Sequence, residues 1–245
     1  MIRKQTDGGV ATVTVDRPEK RNAFNEEMLR DFRDSITEAG EEADAVIIRG
    51  EGDAFIAGAD VSHVRTLDSK DAEEFARLGH SVADAIEDSP APVIAAVDGA
   101  CMGGGTEFIL ACDLRYATPR SEFGEPGVKI GIFGGWGGTY RLPRLVGLSD
   151  AMDLALTGRT VDAEEADAID LVNEVVDDAE DKAYEVAEEI ASRRSEAIRT
   201  VKQSITNGYE LHKEEALEHE RRLFAELFED GVEEYVDSYL ESLND

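Results

Sequence analysis

Pro92-Val-Ile-Ala-Ala-Val-Asp-Gly-Ala-Cys-Met-Gly-Gly-Gly-Thr-Glu107 runs an apolar strand into a turn of glycines and then into a helix with a carboxylate in its first turn. Strand, tight turn and helix in direct succession are the building unit of an α/β protein, so this stretch fixes the fold class. It also locates the chemistry. Glycines at 103 to 105 let a ligand approach the backbone, and the first N–H groups of the following helix lack intrahelical partners. Those donors and the helix dipole favour negative charge, so the N–H of Gly104 is placed to hold a carbonyl oxygen that becomes an enolate. Glu107 then faces the carbon chain beside that carbonyl, as an acid or base. A glycine-rich junction also serves packing alone, so a second piece of the site is required.

That piece lies upstream. Gly52-Asp-Ala-Phe-Ile-Ala-Gly-Ala-Asp-Val61 follows the apolar strand 45 to 49 and forms another turn of small residues, where the N–H of Ala59 supplies a second donor to the same oxygen. Around these segments the pattern alternates. Val10-Ala-Thr-Val-Thr-Val15 has period two and predicts a strand, Asn25 caps a helix, strands follow at about 45 to 49 and 93 to 97, and a helix runs from Ser69 to about Glu87. This βαβ rhythm implies right-handed crossovers and a sheet covered on its faces. Beyond about 150 the chain becomes helical, as in Ala151–Leu156 and Ala183–Ile190, with Asp and Glu on the outer face.

The 245 residues carry 55 acidic and 25 basic side chains, a net charge of −30, and only seven of the basic residues are Lys. The acids are spread along the chain and 42% of the residues are hydrophobic, so a folded core is expected and disorder is not. Nucleic-acid binding is excluded for want of a basic face. An acidic, Lys-poor surface suits molar salt, where the Debye length is about 3 Å, and points to a halophile. Cys101 and Cys112 sit in apolar segments and are expected as buried hydrophobes in a reducing cytoplasm. Four scattered His residues offer no metal-ligand spacing. The polar start and the absence of a long uncharged run predict neither a signal peptide nor a membrane span, hence a soluble cytoplasmic protein.

At these segments the chain resembles the crotonase, or enoyl-CoA hydratase/isomerase, superfamily. The matching pieces are Arg17-Pro-Glu-Lys-Arg-Asn-Ala23, Ala54-Phe-Ile-Ala-Gly-Ala-Asp60, the stretch 92 to 107, Ala111-Cys-Asp113, Phe123-Gly-Glu-Pro126 and Gly137-Gly-Thr-Tyr-Arg-Leu-Pro-Arg144, in the family's order and spacing. The resemblance implies an α/β fold in which ββα units form a spiral. It places the core at residues 1–190 and a helical C-terminal region at 191–245, which trimerises and closes the pocket. It implies an acyl-CoA substrate, with no other cofactor tightly bound. CoA lies along Lys20, Arg21, Ala23, Ala57, Asp60 and Val61, with Arg17 among the cations that relieve its phosphates. The oxyanion hole is Ala59 with Gly104, and the assembly is a homotrimer or hexamer. Apolar stripes at Leu223–Phe228 and Tyr235–Leu240 suit an interface.

Hydratases of this family hold a water between two glutamates. Glu107 matches the first, but the second position carries Gly127. Several outcomes are open. Glu107 handles both proton steps; or Glu125, two residues before Gly127, enters the site; or the protein is an isomerase, for which one base is enough. A dihydroxynaphthoyl-CoA synthase-like lyase, with bicarbonate at the space left by Gly127, ranks lower because that branch lacks a Glu at 107. A CoA-thioester binding protein without chemistry is the remaining reading, and a salt-bridged or solvent-facing Glu107 would favour it. Trp136, the only Trp, either walls the acyl pocket together with Gly127 and Glu125 or serves as packing.

Overall fold

The computed structural model describes residues 1–229 and 231–243, so position 230 and the last two residues of the predicted 191–245 region lie outside the described residues. The chain divides into two units, Met1–Ala191 and Ser192–Asp245.

The first unit holds two sheets. One has six strands: β1 (Ile2–Asp7), β2 (Val10–Val15), β3 (Ala45–Gly50), β5 (Val93–Val97), β7 (Leu114–Ala117) and β10 (Glu174–Val175), in that order. The other runs β4 (Ala54–Ile56), β6 (Ala100–Met102), β8 (Glu122–Gly124) and β9 (Thr160–Asp162). Consecutive strands alternate between the sheets: β3 with β4, β5 with β6 and β7 with β8, each pair followed by helix. This repeat carries no detectable sequence periodicity; short corners carry the chain from one sheet to the other. Gly99, with φ +81°, is one such corner, where any side chain would strike the backbone of Asp53. Gly8 and Gly9 both have positive φ, which lets a two-residue turn join β1 to β2 as an antiparallel hairpin.

The helices of this unit are α1 (Glu26–Glu42), α2 (Val61–Val64), α3 (Ser69–Glu87), α4 (Gly104–Ile109), α5 (Gly138–Leu145), α6 (Leu148–Thr157), α7 (Ala163–Ala168) and α8 (Ala179–Ala191). Asn25 caps α1 by accepting the Met28 N–H at 3.0 Å, and Asp68 caps α3 through the N–H groups of Lys70 and Asp71. The alternation in β2 predicts one buried face, yet all six of its residues are buried. Ala11, Val13 and Val15 enter the main core, whereas Val10 belongs to a second cluster with Ala179, Ala183 and Ala187 of α8. A parallel sheet covered on both faces has no wet side, and on the α8 face the Thr12 hydroxyl bonds the Tyr184 hydroxyl instead of water.

The second unit comprises α9 (Ser195–Tyr209), α10 (Lys213–Glu229) and α11 (Glu233–Ser242). Leu223 is buried, but Phe224, Phe228, Tyr235, Val236, Tyr239 and Leu240 are exposed. Among the described residues, no helix is long and apolar enough to cross a membrane.

Candidate active site

The second sheet assembles the site. Strands β4, β6 and β8 are parallel neighbours, so the turns that leave their C-terminal ends meet along one edge. The β4 turn brings Ala57 to Asp60, the β6 turn brings Gly103 and Gly104, and β8 leads directly into Glu125. Pairing of Met102 with Gly124, extended by the bond from Gly103 N–H to Gly124 carbonyl at 2.8 Å, fixes Glu125 beside the glycine turn. A Cβ on Gly58 would lie 3.1 Å from the Gly104 nitrogen, so the two small-residue turns touch through glycine backbone. Gly103, with φ +50°, turns the chain from strand into helix. Gly104 is the first residue of α4, where an N–H has no intrahelical acceptor. Outside the regular elements, the Ala59 N–H likewise finds no backbone acceptor among the described residues.

Glu107 is 2% exposed and forms no ion pair among those described. One of its oxygens, Oε1, accepts the N–H groups of Trp136 and Gly138, each at 2.7 Å. Burial raises its pKa, opposed by those two donors and by the charge of Arg141. The donors belong to the turn into α5. Gly137, with φ +107°, makes the bend between them, and Arg141 ties α5 to α3 through Asp84 and Glu87. Arg141 thus positions the turn; it lies in the matching segment Gly137–Arg144, but its ion pairs to α3 could not be read from the sequence.

Glu125 is 6% exposed, and among the described residues neither of its carboxyl oxygens has a hydrogen-bond partner. Burial, then the charge of Glu107, raises its pKa well above the carboxylate range. Both carboxyls border one space. A Cβ on Gly134 would stand 2.7 Å from Glu125 Oε2 and 3.0 Å from Glu107 Oε1. Glycine there leaves the gap open.

The nearest neighbours of a Cβ on Gly127 would be the backbone of Ile132 and Phe133, at 3.2 to 3.3 Å. Trp136 is 4% exposed and sits in the core, stacked on Phe108 at 5.1 Å and edge-on to Phe75. It is not among the residues lining the adjoining cavity. That cavity of about 280 Å³ opens from Glu125 and is walled by Val128, Phe133, Leu142, Leu148, Met152 and Leu156, with Ala151 and Ala155 between them.

In the loop that follows β2, Lys20 and Arg21 are exposed and Ala23 is buried. Arg17 donates to the Ala23 carbonyl at 2.8 Å and pairs with Asp60 at 3.2 Å, which joins the loop to the Ala59 turn. Asp60 caps α2 by accepting the Ser62 N–H at 3.0 Å. Burial opposes its ionisation, but that N–H together with Arg17 and Lys20 outweighs it and holds the pKa below the ordinary value. Val61 is exposed at the start of α2. The Arg17 loop hangs on Asn22, fully buried with its amide donating to the carbonyls of Glu51, Ala54 and Phe55. Its turn-prone residue type and its place in the matching segment Arg17–Ala23 were the available signals, and in the structure it adopts the left-handed conformation at φ +58°. Asp113 locks the strand after α4 by accepting the Val93 N–H at 2.7 Å. Cys101 and Cys112 are buried and unbridged.

Strand–strand–helix units that bring small-residue turns and two buried carboxyls to one sheet edge define an acid–base site on an α/β scaffold. The chain belongs to the enoyl-CoA hydratase/isomerase family, whose model matches residues 5–245. A short-chain-enoyl-CoA hydratase of Clostridium acetobutylicum is 39% identical over 229 residues, covering 91% of this chain and 88% of that protein. A crotonyl-CoA hydratase of Syntrophomonas wolfei is 38% identical over 224 residues, 89% of this chain and 86% of that protein. The crystal structure of an enoyl-CoA hydratase from Bacillus anthracis superposes with a TM-score of 0.94 at 31% identity, covering 98% of this chain and 96% of that one.

Proposed function

We propose that the protein adds water across the double bond of a 2-enoyl-CoA. The observation that carries this reading is Glu107: a buried carboxylate anchored by two backbone N–H groups, on the helix that begins at Gly104. A retired site has no reason to keep such a group, and Glu107 is neither salt-bridged nor solvent-facing, which speaks against a binding protein without chemistry. The thioester oxygen is held by the N–H groups of Ala59 and Gly104. Each such donor is worth roughly 3 to 4 kcal/mol when negative charge develops on that oxygen. Glu107 takes a proton from water as the oxygen attacks the β-carbon. The CoA phosphates are met by Lys20 and Arg21, and its adenine lies along Ala57 to Val61. The names of the relatives, short-chain-enoyl-CoA and crotonyl-CoA hydratase, favour hydration over isomerisation.

The exposed aromatic and aliphatic side chains of α10 and α11 support a homotrimer or a dimer of trimers, since so many large apolar side chains left in solvent suit an interface. The net charge of −30 supports a halophilic protein working in the cytoplasm at high salt.

The test is incubation in molar KCl with crotonyl-CoA and, separately, a 3-enoyl-CoA, following conjugated absorbance and product mass. Gain of one water from crotonyl-CoA is expected, with turnover abolished and CoA binding kept in Glu107→Gln. Mass-neutral conversion of the 3-enoyl substrate alone would make the protein an isomerase, and inertness to both would overturn the reading.

A further inference from the structure

Glu125 is a buried acid that the reaction as drawn above does not use. It leaves β8 two residues before Gly127, and its carboxyl ends against the same gap as Glu107, on the wall of the apolar cavity. The two groups differ in one respect that decides their protonation. Glu107 receives two backbone N–H groups on one oxygen, whereas both oxygens of Glu125 lack any partner. Backbone donors stabilise the anion, and an unpartnered carboxylate in a water-poor setting is the costlier of the two to charge.

We infer that Glu125 is the second catalytic carboxylate, and that the two glutamates hold a single proton that resides on Glu125 in the resting protein. Among the described residues, the charged and titratable groups that bear on the pair are few: Arg141 of α5, itself bound to Asp84 and Glu87, acts on Glu107, and the Cys101 thiol of β6 feels the charge of Glu125. Neither donates a hydrogen bond to Glu125. Two like charges sharing a small buried space disfavour double ionisation, which leaves one acid and one base.

The chemical steps, which rest on the hydratase reading, then balance. Glu107 accepts one water proton while the water oxygen bonds to the β-carbon and the double-bond electrons move to the thioester oxygen. Collapse of that enolate takes the proton of Glu125 onto the α-carbon. The proton now on Glu107 passes to Glu125 across the gap, directly or through one water, and restores the resting pair. A glycine at 127 is thereby compatible with two-carboxylate hydration, because the second acid enters from a different backbone position.

Two measurements separate this inference from the hydratase reading. In infrared spectra of the substrate-free protein near neutral pH, a protonated-carboxyl stretch is expected in the wild type and in Glu107→Gln, and its loss in Glu125→Gln. Absence of that band, or its persistence in Glu125→Gln, overturns the shared proton whatever the enzyme turns over. With crotonyl-CoA, Glu125→Gln is expected to lower kcat about 100-fold or more with KM little changed, and to lose the alkaline limb of the pH profile. Partial rescue by Glu125→Asp is expected. A wild type that hydrates while Glu125→Gln stays within a few-fold of it would remove Glu125 from the mechanism, and a wild type inert to the substrate would fault the hydratase reading alone.

Discussion

Gly104 and Trp136 are in direct contact: the indole lies against the α-carbon of Gly104, and a Cβ on that residue would overlap the ring. The backbone of Trp136 meanwhile donates one of the two N–H groups that hold Glu107. One residue therefore joins the aromatic core to both the glycine turn at Gly104 and the carboxylate.

Gly104→Ala keeps the backbone N–H but forces the indole away. It is expected to destabilise the protein by about 1 to 3 kcal/mol, as overpacking does, and to cut kcat. Trp136→Ala opens a cavity, costing about 3 to 5 kcal/mol, and absorbs the added methyl. Denaturant unfolding of both single variants and the double variant checks this; strict additivity would show that the contact is not strained.

Gly134→Ala places a methyl between the two carboxyls, 2.7 Å from Glu125 Oε2 and 3.0 Å from Glu107 Oε1. The position has no left-handed backbone requirement. Loss of turnover, with acyl-CoA binding and thermal stability much less affected, is the expected outcome in a steady-state assay paired with calorimetry. Wild-type activity in this variant would mean that water does not use that gap.

Glu125 has its pKa raised well above the ordinary value by burial and by Glu107, so the folded state retains a proton that the unfolded chain releases. This contribution to stability is whole below the unfolded pKa, about 4.3, and is lost as pH rises toward the folded value, at no more than about 1.4 kcal/mol per pH unit. Relative to the wild type, Glu125→Gln is expected to gain stability as pH rises from about 4 upward. Urea midpoints of the two proteins across that range give the difference; a flat difference contradicts the buried proton.

Ala155 lines the apolar cavity beside Glu125. Ala155→Phe is expected to lower kcat/KM for longer acyl-CoA substrates while sparing crotonyl-CoA, since each buried methylene is worth about 0.8 kcal/mol. An equal effect on all chain lengths would place the acyl tail elsewhere.

With 55 acidic side chains against 25 basic ones, self-repulsion weakens the folded state in dilute buffer. The thermal midpoint is expected to climb with KCl up to molar concentrations, by about 2 to 4 °C for each kcal/mol recovered. A midpoint independent of salt would dismiss the halophilic reading of the charge.

Local signals carried much of the fold. Period-two alternation, capping residues and glycine turns placed β2, β3, β5, α1 and α3, because each depends on neighbours in sequence. The strands β4, β6, β8 and β9 escaped because each is only three residues long, too short for a periodic pattern to register. The roles of Asn22 and Arg141 escaped for a related reason: their partners lie dozens of residues away.

The sequence by itself determined the family, the glycine turns at 58 and 103 to 105, and Glu107, because such chemistry needs backbone freedom and a carboxylate at fixed short spacing. Only the tertiary structure decided which second acid faces Glu107. Position 127 in the chain suggested an empty site, yet the parallel pairing of β6 with β8 turns Glu125 into the gap and strips it of partners. Which side chains share a buried space depends on how strands from distant parts of the chain register against one another, and that register is a property of the packed sheet.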